Sequence, residues 1–342
     1  MGVTAITSDA EPAAAVAFTA AVRDALPDPG FWTMPVLAAV SGGGDSVALV
    51  LALRRLVPAD AVHRLVVVHA EHDLRPEAGD DRLFVERLAA RLGLACESRR
   101  LPVRPARGEG VEAAARRLRY GFMMETAAAI GARHVVVAHT ADDQAETILH
   151  RLLRGTGVAG LAGMSRAREL APGTSLLRPL LGMRRAAARA FLTAIGQPWR
   201  EDATNADVRH ARNFVRHEIL ARCEEGAYPA CIESIVRLGG QAAVQAAALA
   251  SAADRLLEEH GRHERQGVIA LDASRLAGLD PHLVAEVFVA LWRREGWPQR
   301  AMSAAHYASL ARLTAGVGTT AVLPGAVHVE TDGRTMRLER RF

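Results

Sequence analysis

The sequence predicts an α/β fold: a doubly wound, mostly parallel sheet with a second, smaller and mainly helical C-terminal domain. Short runs of small or β-branched apolar residues predict buried parallel strands, because strands covered on both faces need no polar alternation. These runs are Val36–Val40, Arg64–His69 and His134–Ala138. Segments with helical spacing of apolar residues separate the strands, and Ala/Leu-rich helical spacing dominates from about residue 230.

We expect three segments along the chain. Residues 1–30 form an N-terminal extension with a first helix, 31–222 the domain with the parallel sheet, and 223–342 a helical C-terminal domain that ends in a short hairpin. Asp332-Gly333 between two alternating apolar segments predicts the hairpin turn. Gly239-Gly240 predicts a break within the C-terminal helices.

The basic residues are all arginine. The chain has 342 residues, 42 basic residues and a formal charge of +4, and it contains no lysine. Schiff-base catalysis and a phosphate-loop lysine are therefore excluded, and any lysine in the reaction must come from solution. The arginine excess permits a polyanionic partner, and arginine suits RNA because it binds phosphate and stacks on bases.

Cysteine usage and the N-terminus predict a cytoplasmic protein. The three cysteines, Cys96, Cys223 and Cys231, include no C-x-x-C pair, which disfavours a zinc knuckle or a redox pair. A sparse, odd count suits a reducing compartment. The first thirty residues are acidic and lack the pattern of a signal peptide, and no apolar run reaches the length of about 18 residues that a membrane span requires.

A glycine-rich loop follows the first predicted strand. Its residues are Ser41, Gly42, Gly43, Gly44, Asp45 and Ser46. Glycines allow the backbone to approach a ligand closely, and free N–H groups at a helix start bind phosphate. A carboxylate repels phosphate, so Asp45 is best explained as a ligand of Mg²⁺ that bridges to the phosphates. An ordinary strand–turn–helix connection is the alternative interpretation.

The third predicted strand ends in a second polar cluster. Its members are His139, Asp142, Asp143, Gln144 and Glu146. Thr140 or Asp142 is the expected N-cap of the next helix, which explains one polar residue but not the group. Because a cap does not account for His139, Asp143, Gln144 and Glu146 together, we expect this cluster at the strand end to have a functional role.

Three further charged segments carry candidate residues. His69–Arg75 follows the second strand and predicts a polar rim of the nucleotide pocket in preference to a structural metal site. In the helix predicted from Val111, Arg116 and Arg119 share a face that suits an anion, whereas Glu112 and Arg116 could simply pair at the surface. Residues 178–222 hold nine arginines and four acidic residues, a net charge of +5 that favours an anionic partner.

Taken together, these segments resemble the tRNA(Ile)-lysidine synthetases, which are N-type ATP pyrophosphatases of the PP-loop superfamily. The glycine loop alone is typical of the superfamily, whereas the ordered set from Val36 to about Leu220 is specific. The motifs are Ser-Gly-Gly-Gly-Asp-Ser (41–46), His-Ala-Glu-His-Asp-Leu-Arg (69–75), Glu-Ala-Ala-Ala-Arg-Arg-Leu-Arg-Tyr (112–120), His-Thr-Ala-Asp-Asp-Gln-Ala-Glu-Thr (139–147), Leu-Leu-Arg-Gly-Thr-Gly (152–157), Arg-Pro-Leu-Leu (178–181), Glu-Asp-Ala-Thr-Asn (201–205) and Arg-Asn-Phe-Val-Arg-His-Glu (212–218).

The resemblance implies a two-step reaction with ATP and Mg²⁺. ATP adenylates the C2 oxygen of the wobble cytidine of a tRNA(Ile) with a CAU anticodon. The amine of free L-lysine then displaces AMP and gives lysidine. The resemblance implies that 31–222 is the PP-loop ATP pyrophosphatase catalytic domain and that 223–342 is a tRNA-binding domain. No membrane partner is implied, and the sequence is compatible with a homodimer without determining the oligomeric state.

The resemblance also assigns expected roles to single residues. The loop of residues 41–46 binds ATP, and Asp45 holds Mg²⁺. Asp142 completes the metal site or orients the incoming ammonium group, His139 contacts the nucleotide or acts as base, and Arg212 neutralises phosphate or the developing oxyanion. Glu112 binds the cationic end of lysine. The remaining residues expected to contact substrate or tRNA are Arg116, Arg119, His72, Arg75 and Arg216.

Two positions depart from the family pattern, and other functions remain open. Glu71 stands where aspartate is expected and Asp73 where a small residue is usual, so the binding of lysine or nucleotide could differ. The first alternative is another PP-loop enzyme, one that thiolates a tRNA base; such enzymes commonly use paired cysteines or an iron–sulfur cluster. An amidating synthetase for a small metabolite and a non-enzymatic tRNA- or nucleotide-binding module are further alternatives.

Overall fold

The computed structural model describes residues 11–27, 30–71, 78–201, 211–265 and 267–341. The chain forms two compact units that divide between Gly239 and Gly240. The sequence analysis placed the domain boundary earlier, at 222/223. Within the described ranges, no helix has both the length and the apolar character needed to span a membrane.

The first unit is built on a six-stranded sheet in the order β3-β2-β1-β4-β6-β5. Neighbouring strands are parallel except for the antiparallel pair β5 and β6. The order reverses direction between β1 and β4, which is where doubly wound sheets open a ligand crevice. The strands are β1 (Val36–Ala39), β2 (Leu65–Glu71), β3 (Ala95–Arg100), β4 (His134–Val136), β5 (Ala167–Ala171) and β6 (Thr174–Leu177).

Helices connect and cover these strands. Short 3-10 turns occur at Phe31–Thr33, Ala59–Arg64 and Pro179–Gly182, and a π-helical segment, Val215–Leu220, joins α8 to α9. The α-helices are α1 (Ala13–Asp24), α2 (Gly44–Leu56), α3 (Ala78–Leu92), α4 (Val111–Ile130), α5 (Ala141–Leu153), α6 (Val158–Leu161), α7 (Arg185–Ala194), α8 (Ala211–Phe214), α9 (Ala221–Glu225) and α10 (Cys231–His260).

Alternate residues of the central strands enter two separate cores. Val36 and Ala38 of β1 belong to a core that includes residues of α1, α2, α3 and α7. Leu37, between them, joins Phe122 and Met123 of α4 in a second core. Both faces of the sheet are therefore covered, which confirms the predicted doubly wound architecture and explains why the strand sequences are continuously apolar.

The second unit contains more sheet than the sequence predicted. Among its described residues, three further helices and the part of α10 from Gly240 onward accompany a five-stranded antiparallel sheet in the order β7-β8-β11-β10-β9. The predicted hairpin is confirmed as β10 and β11, but the other three strands were missed. The elements are β7 (Gly261–Arg265), β8 (Val268–Asp272), α11 (Ala273–Leu276), α12 (Pro281–Arg294), α13 (Ala304–Thr314), β9 (Thr320–Leu323), β10 (Val327–Thr331) and β11 (Thr335–Arg340).

The predicted break at Gly239-Gly240 is wrong, because α10 runs through both residues. Gly239 packs closely on α5: a Cβ atom at this position would lie 2.5 Å from Cδ1 of the buried Ile148 and 3.3 Å from the carbonyl oxygen of Leu161. A Cβ atom on Gly240 would meet nothing within 4 Å. The first glycine thus serves helix packing and does not end the helix.

Candidate active site

The glycine loop connects β1 to α2 at the carboxyl edge of the sheet. Gly42 has a φ of 94°, which a side chain would strain, and Gly43 is the N-cap of α2. The buried Ser46 hydroxyl donates to the Gly43 carbonyl (2.8 Å) and accepts from the Ser41 amide (3.1 Å). The two serines therefore fix the shape of the loop, and the helix start remains available to a ligand.

The segment after α7 supports the loop from one side. The amide of Arg200 donates to the Gly42 carbonyl (3.0 Å), and Arg200 forms a parallel bridge with Gly43. A Cβ atom on Gly44 would lie 3.4 Å from Cδ1 of Trp199. The Arg200 guanidinium donates to Asp81 on α3 (2.9 Å). Side chains distant in sequence thus hold the loop in place.

The second polar cluster begins α5 directly beyond β4. Thr140 is the N-cap, and Thr140 and Asp143 form a capping box in which each side chain accepts from the other residue's amide. Thr140 was one of the two residues predicted as the N-cap of this helix. The structure also assigns Gln144 a structural contact, since its amide group bonds to the backbone of Ala162 and Met164.

Arg185, the first residue of α7, joins the glycine loop to the second cluster. Its Nε donates to Asp45 Oδ2 (3.1 Å) and its Nη2 to Asp143 Oδ1 (3.0 Å). Asp45 and Arg185 are 140 residues apart in the chain. Arg185 was not predicted as a site residue, because it is one of nine arginines between residues 178 and 222 and its sequence neighbours give no sign of this contact.

Glu146 is the most deeply buried acid of the site. Its carboxylate accepts from Arg212 Nε (2.9 Å) and from Arg216 Nε (2.5 Å) and Nη2 (3.2 Å), while Arg185 Nη2 lies 3.8 Å away. Its side chain is 1% exposed. Three arginines thus surround one carboxylate, and these ion pairs offset the free-energy cost of removing the charges from water. Arg212 and Arg216 lie in the site as predicted, already paired with acids.

Asp142 fixes the start of α7. Its Oδ2 accepts from the Arg185 amide (2.7 Å), and its Oδ1 lies 3.4 Å from Arg184 Nη2. Arg184 also binds Glu224 (2.7 Å) and Glu233 (2.6 Å). Both Asp142 oxygens are therefore engaged with the protein, and the contact places Arg185 between Asp45 and Asp143.

His139 is neutral at physiological pH. Burial, reinforced by nearby arginines, lowers its pKa to about 4 although Asp143 opposes the shift. Nδ1 accepts from Arg178 Nε (3.2 Å). The remaining ring nitrogen of a neutral imidazole then carries the proton, so His139 presents a hydrogen-bond donor to the site. This arrangement favours nucleotide contact over the general-base role considered from the sequence.

Asp45 is suited to a metal ion. Its Oδ1 is buried without a hydrogen-bond partner among the described residues. Burial raises its pKa to about 6, and Asp143 and Asp142 add to the shift although Arg185 opposes it. Mg²⁺ commonly binds through one or two carboxylates together with substrate phosphates. The described residues contain no ready cluster of three or more metal-binding side chains, so such an ion would rely on the nucleotide for further ligands.

The predicted residues of α4 lie at the surface beside this network. Glu112, Arg116 and Arg119 are exposed, and no ion pair joins Glu112 to Arg116 in the described structure. Arg119 lies close enough to His139 to help lower the pKa of that imidazole. The guanidinium of Arg116 lies over the Tyr120 ring, with Cζ 5.1 Å from the centroid.

The segment after β2 is described only up to Glu71; His72, Asp73 and Arg75 lie outside the described residues. The His69 imidazole donates from Nδ1 to the Val40 carbonyl (2.7 Å), directly before the glycine loop. The Glu71 carboxylate lies 3.2 Å from Arg82 Nε on α3. The His69 and Glu71 side chains are both buried, and the His69 contact supports the residue that precedes the loop.

Comparisons with known proteins identify the family of this chain. Residues 18–223 match the PP-loop domain family, so fold and loop define a PP-loop protein. The tRNA(Ile)-lysidine synthase of Salinispora tropica is 38% identical over 327 residues, which are 94% of each chain. That of Thermus thermophilus is 43% identical over 235 residues, 68% of this chain and 41% of that protein. The chain belongs to the tRNA(Ile)-lysidine synthase family.

The relatives differ in length, and the solved structures add only the fold. This chain spans 41% of the Thermus protein and 55% of the Rhodopirellula baltica one. The U34-tRNA thiolase NcsA from Methanococcus maripaludis, solved with its [4Fe-4S] cluster, superposes with a TM-score of 0.55 at 13% identity. The superposition covers 66% of this chain and 77% of that one, and it shows a shared fold.

Proposed function

We propose that this chain ligates free L-lysine to the wobble cytidine of a tRNA(Ile) with a CAU anticodon, consuming ATP and releasing AMP and diphosphate. The observation that carries the proposal is the meeting of the glycine loop, Asp45 and Asp143 around Arg185, in a member of the lysidine synthase family. A cytoplasmic location and a homodimer remain predictions from the sequence.

The loop and its arginines would handle the phosphates. The amides at the start of α2 bind the leaving diphosphate, and Mg²⁺ held by Asp45 would neutralise its charge. Arg185, Arg212 and Arg216 can exchange carboxylate contacts for phosphate oxygens because guanidinium binds both in the same bidentate geometry. Asp142 acts on this step as a positioning residue, through its bond to the Arg185 amide.

The nucleoside and lysine would bind next to α4. His139 donates a hydrogen bond from its free ring nitrogen and helps orient the nucleotide. Glu112 binds the ammonium end of lysine, and Arg116 and Arg119 contact the tRNA. His72 and Arg75 retain the substrate-binding roles that the family motif implies. The chain contains no lysine, so its own side chains supply no competing primary amine.

The thiolation alternative has no support from the described cysteines. Cys96 lies on β3, and burial raises the pKa of its thiol to about 11, which makes it a poor nucleophile at neutral pH. Cys223 and Cys231 lie on α9 and α10, outside the network around Arg185. None of the three belongs to the glycine loop or the His139–Glu146 cluster.

The test is incorporation of labelled lysine into a CAU-anticodon tRNA(Ile) transcript with ATP and Mg²⁺. A transcript with uridine at the wobble position is the control, and Asp45→Ala is the matched enzyme control. We expect incorporation that requires ATP, the wobble cytidine and Asp45. Diphosphate release with another acceptor, without lysine incorporation, would retain the PP-loop chemistry and overturn the lysidine assignment.

A further inference from the structure

Tyr120 on α4 is surrounded by guanidinium groups. The Cζ atoms of Arg116 and Arg168 lie 5.1 Å and 5.2 Å from its ring centroid, within the range of cation–π contacts. Arg116, Arg168 and Arg178 lie close enough to its hydroxyl to lower the pKa of the phenol, although burial opposes the shift. Arginines from α4, from β5 and from the residue after β6 therefore converge on one phenol.

The sheet topology brings these residues to the edge that carries the active site. β5 runs antiparallel to β6, and Arg168 is paired in register with Leu176 near the end of β6. Arg178 directly follows β6, which is parallel to β4. The arginines thus lie at the carboxyl ends of the parallel strands, and Arg178 also contacts His139 (3.2 Å).

The charge of this group is not compensated by the described part of the chain. There, no carboxylate lies within the ion-pair distance of 4.0 Å from Arg116, Arg168 or Arg178. Arg178 is 3% exposed, and the side-chain hydrogen bonds described for it go to neutral acceptors, His139 Nδ1 and the Ser165 carbonyl. A buried guanidinium without a counter-charge is costly, and neighbouring guanidiniums add to the cost. The arrangement suits an anion supplied from outside.

We propose that this arginine–tyrosine cluster, formed by Arg116, Tyr120, Arg168 and Arg178, binds a backbone phosphate of the RNA substrate beside the nucleotide that enters the active site. The inference rests on the proposed function. A phosphodiester supplies the missing negative charge in a form that guanidinium binds well. The exposed guanidiniums of Arg116 and Arg168 favour a nucleic acid over a simple anion, because guanidinium planes also stack on bases. A phosphate of ATP is the other source of the same chemistry.

Arg168→Gln is the test variant, because Arg168 is exposed and forms no ion pair within the described structure. Affinity for the CAU-anticodon transcript is measured without ATP between 50 and 200 mM KCl, a range set by the strong salt dependence of phosphate contacts. We expect binding about 3- to 10-fold weaker at the lower salt, and a slope of log affinity against log salt shallower by about 0.7–0.9.

Arg133→Gln is the matched control. Arg133 is also exposed, but it precedes β4 and so lies at the amino end of the strands, opposite the active site. The same charge is lost, and we expect the wild-type salt slope. Both variants change the net charge equally. A difference in salt slope between them therefore reports the position of the arginine and not the net charge of the protein.

Two results would overturn the inference. One is an unchanged salt slope in Arg168→Gln. The other is weaker ATP binding with tRNA affinity unchanged, which would assign the cluster to nucleotide phosphates. Failure of the wild-type protein to incorporate lysine would instead overturn the proposed function, and a shallower slope on any bound RNA would still support the phosphate site.

Discussion

Asp45 shows how a single residue is placed at the expense of stability. Its carboxylate lies near Asp142 and Asp143, one of its oxygens is unpartnered, and its pKa is raised to about 6. A carboxylate pKa above the unfolded value contributes stability below about pH 4, and this contribution is lost as pH rises through about 6. At neutral pH the ionised carboxylate therefore destabilises the ligand-free protein. The ionised carboxylate is also the form that binds a metal ion.

Asp45→Asn should consequently abolish ATP cleavage and increase stability. Asparagine resembles the protonated side chain, so the charge penalty, on the order of 1–3 kcal/mol at pH 7.5, is relieved. Arg185 keeps its contacts with Asp143 and Glu146. Urea unfolding and diphosphate release measure the two effects, with the exposed Asp60→Asn as control. A marked loss of stability would contradict this account.

His139 should make stability depend on pH in the opposite direction. Its folded pKa of about 4 is below its ordinary value of 6.5, so its contribution is present above pH 6.5 and is lost as pH falls toward 4. We expect His139→Asn to remove about 1–3 kcal/mol of the difference in unfolding free energy between pH 7 and pH 4.5. Urea titrations at several pH values would measure it. Parallel pH profiles for wild type and variant would refute it.

The sequence predicted the residues of the site better than their contacts. Asp45, His139 and Asp143 were found because each follows a recognisable strand at the edge where ligands bind. Arg185 was missed because its significance comes from Asp45, 140 residues away. A local sequence pattern cannot reveal a contact between residues so far apart in the chain. The donor role of His139 likewise depends on Arg178, which reaches it from another strand end.

At the scale of elements, the strands that were not predicted include the two polar edge strands β5 and β7. β5 reads Ala-Arg-Glu-Leu-Ala and β7 reads Gly-Arg-His-Glu-Arg. Both strands lie at the edge of their sheets, where polar side chains face water and no apolar pattern is required. The predicted break in α10 failed for another reason: two glycines cost only about 1 kcal/mol each, which tertiary packing offsets.

The two glycines of α10 should respond oppositely to alanine. Gly240→Ala meets open space and should stabilise the protein by about 0.5–1 kcal/mol through higher helix propensity. Gly239→Ala must displace Ile148, so it should gain nothing or destabilise. Chemical denaturation of both variants measures the contrast. Ile148→Val removes the contacting Cδ1 and should restore part of the gain, and an identical effect of the two alanines would contradict the packing.

At the scale of the whole molecule, the absence of lysine predicts how the enzyme responds to amine-modifying reagents. Amine-acylating reagents can modify no side-chain amine of this chain, so enzyme treated and then freed of reagent should keep full activity. Phenylglyoxal, which modifies arginine, should inactivate the enzyme, because Arg185, Arg212 and Arg216 are only partly buried. ATP with Mg²⁺ should slow this inactivation. Inactivation by acylation would indicate a required amine elsewhere, such as the terminus.

The closed network around Arg185 has a consequence for the heat of ligand binding. Asp45, Asp143 and Glu146 face Arg185, Arg212 and Arg216, so each charged group of the ligand-free site already has an ion-pair partner, although one Asp45 oxygen stays unpartnered. Loading it with a metal–nucleotide complex replaces one set of ion contacts by another of similar strength. Calorimetry should therefore record a small binding enthalpy. The favourable free energy of binding should come from the entropy of released water and freed side chains, as when counter-ions exchange on a charged resin.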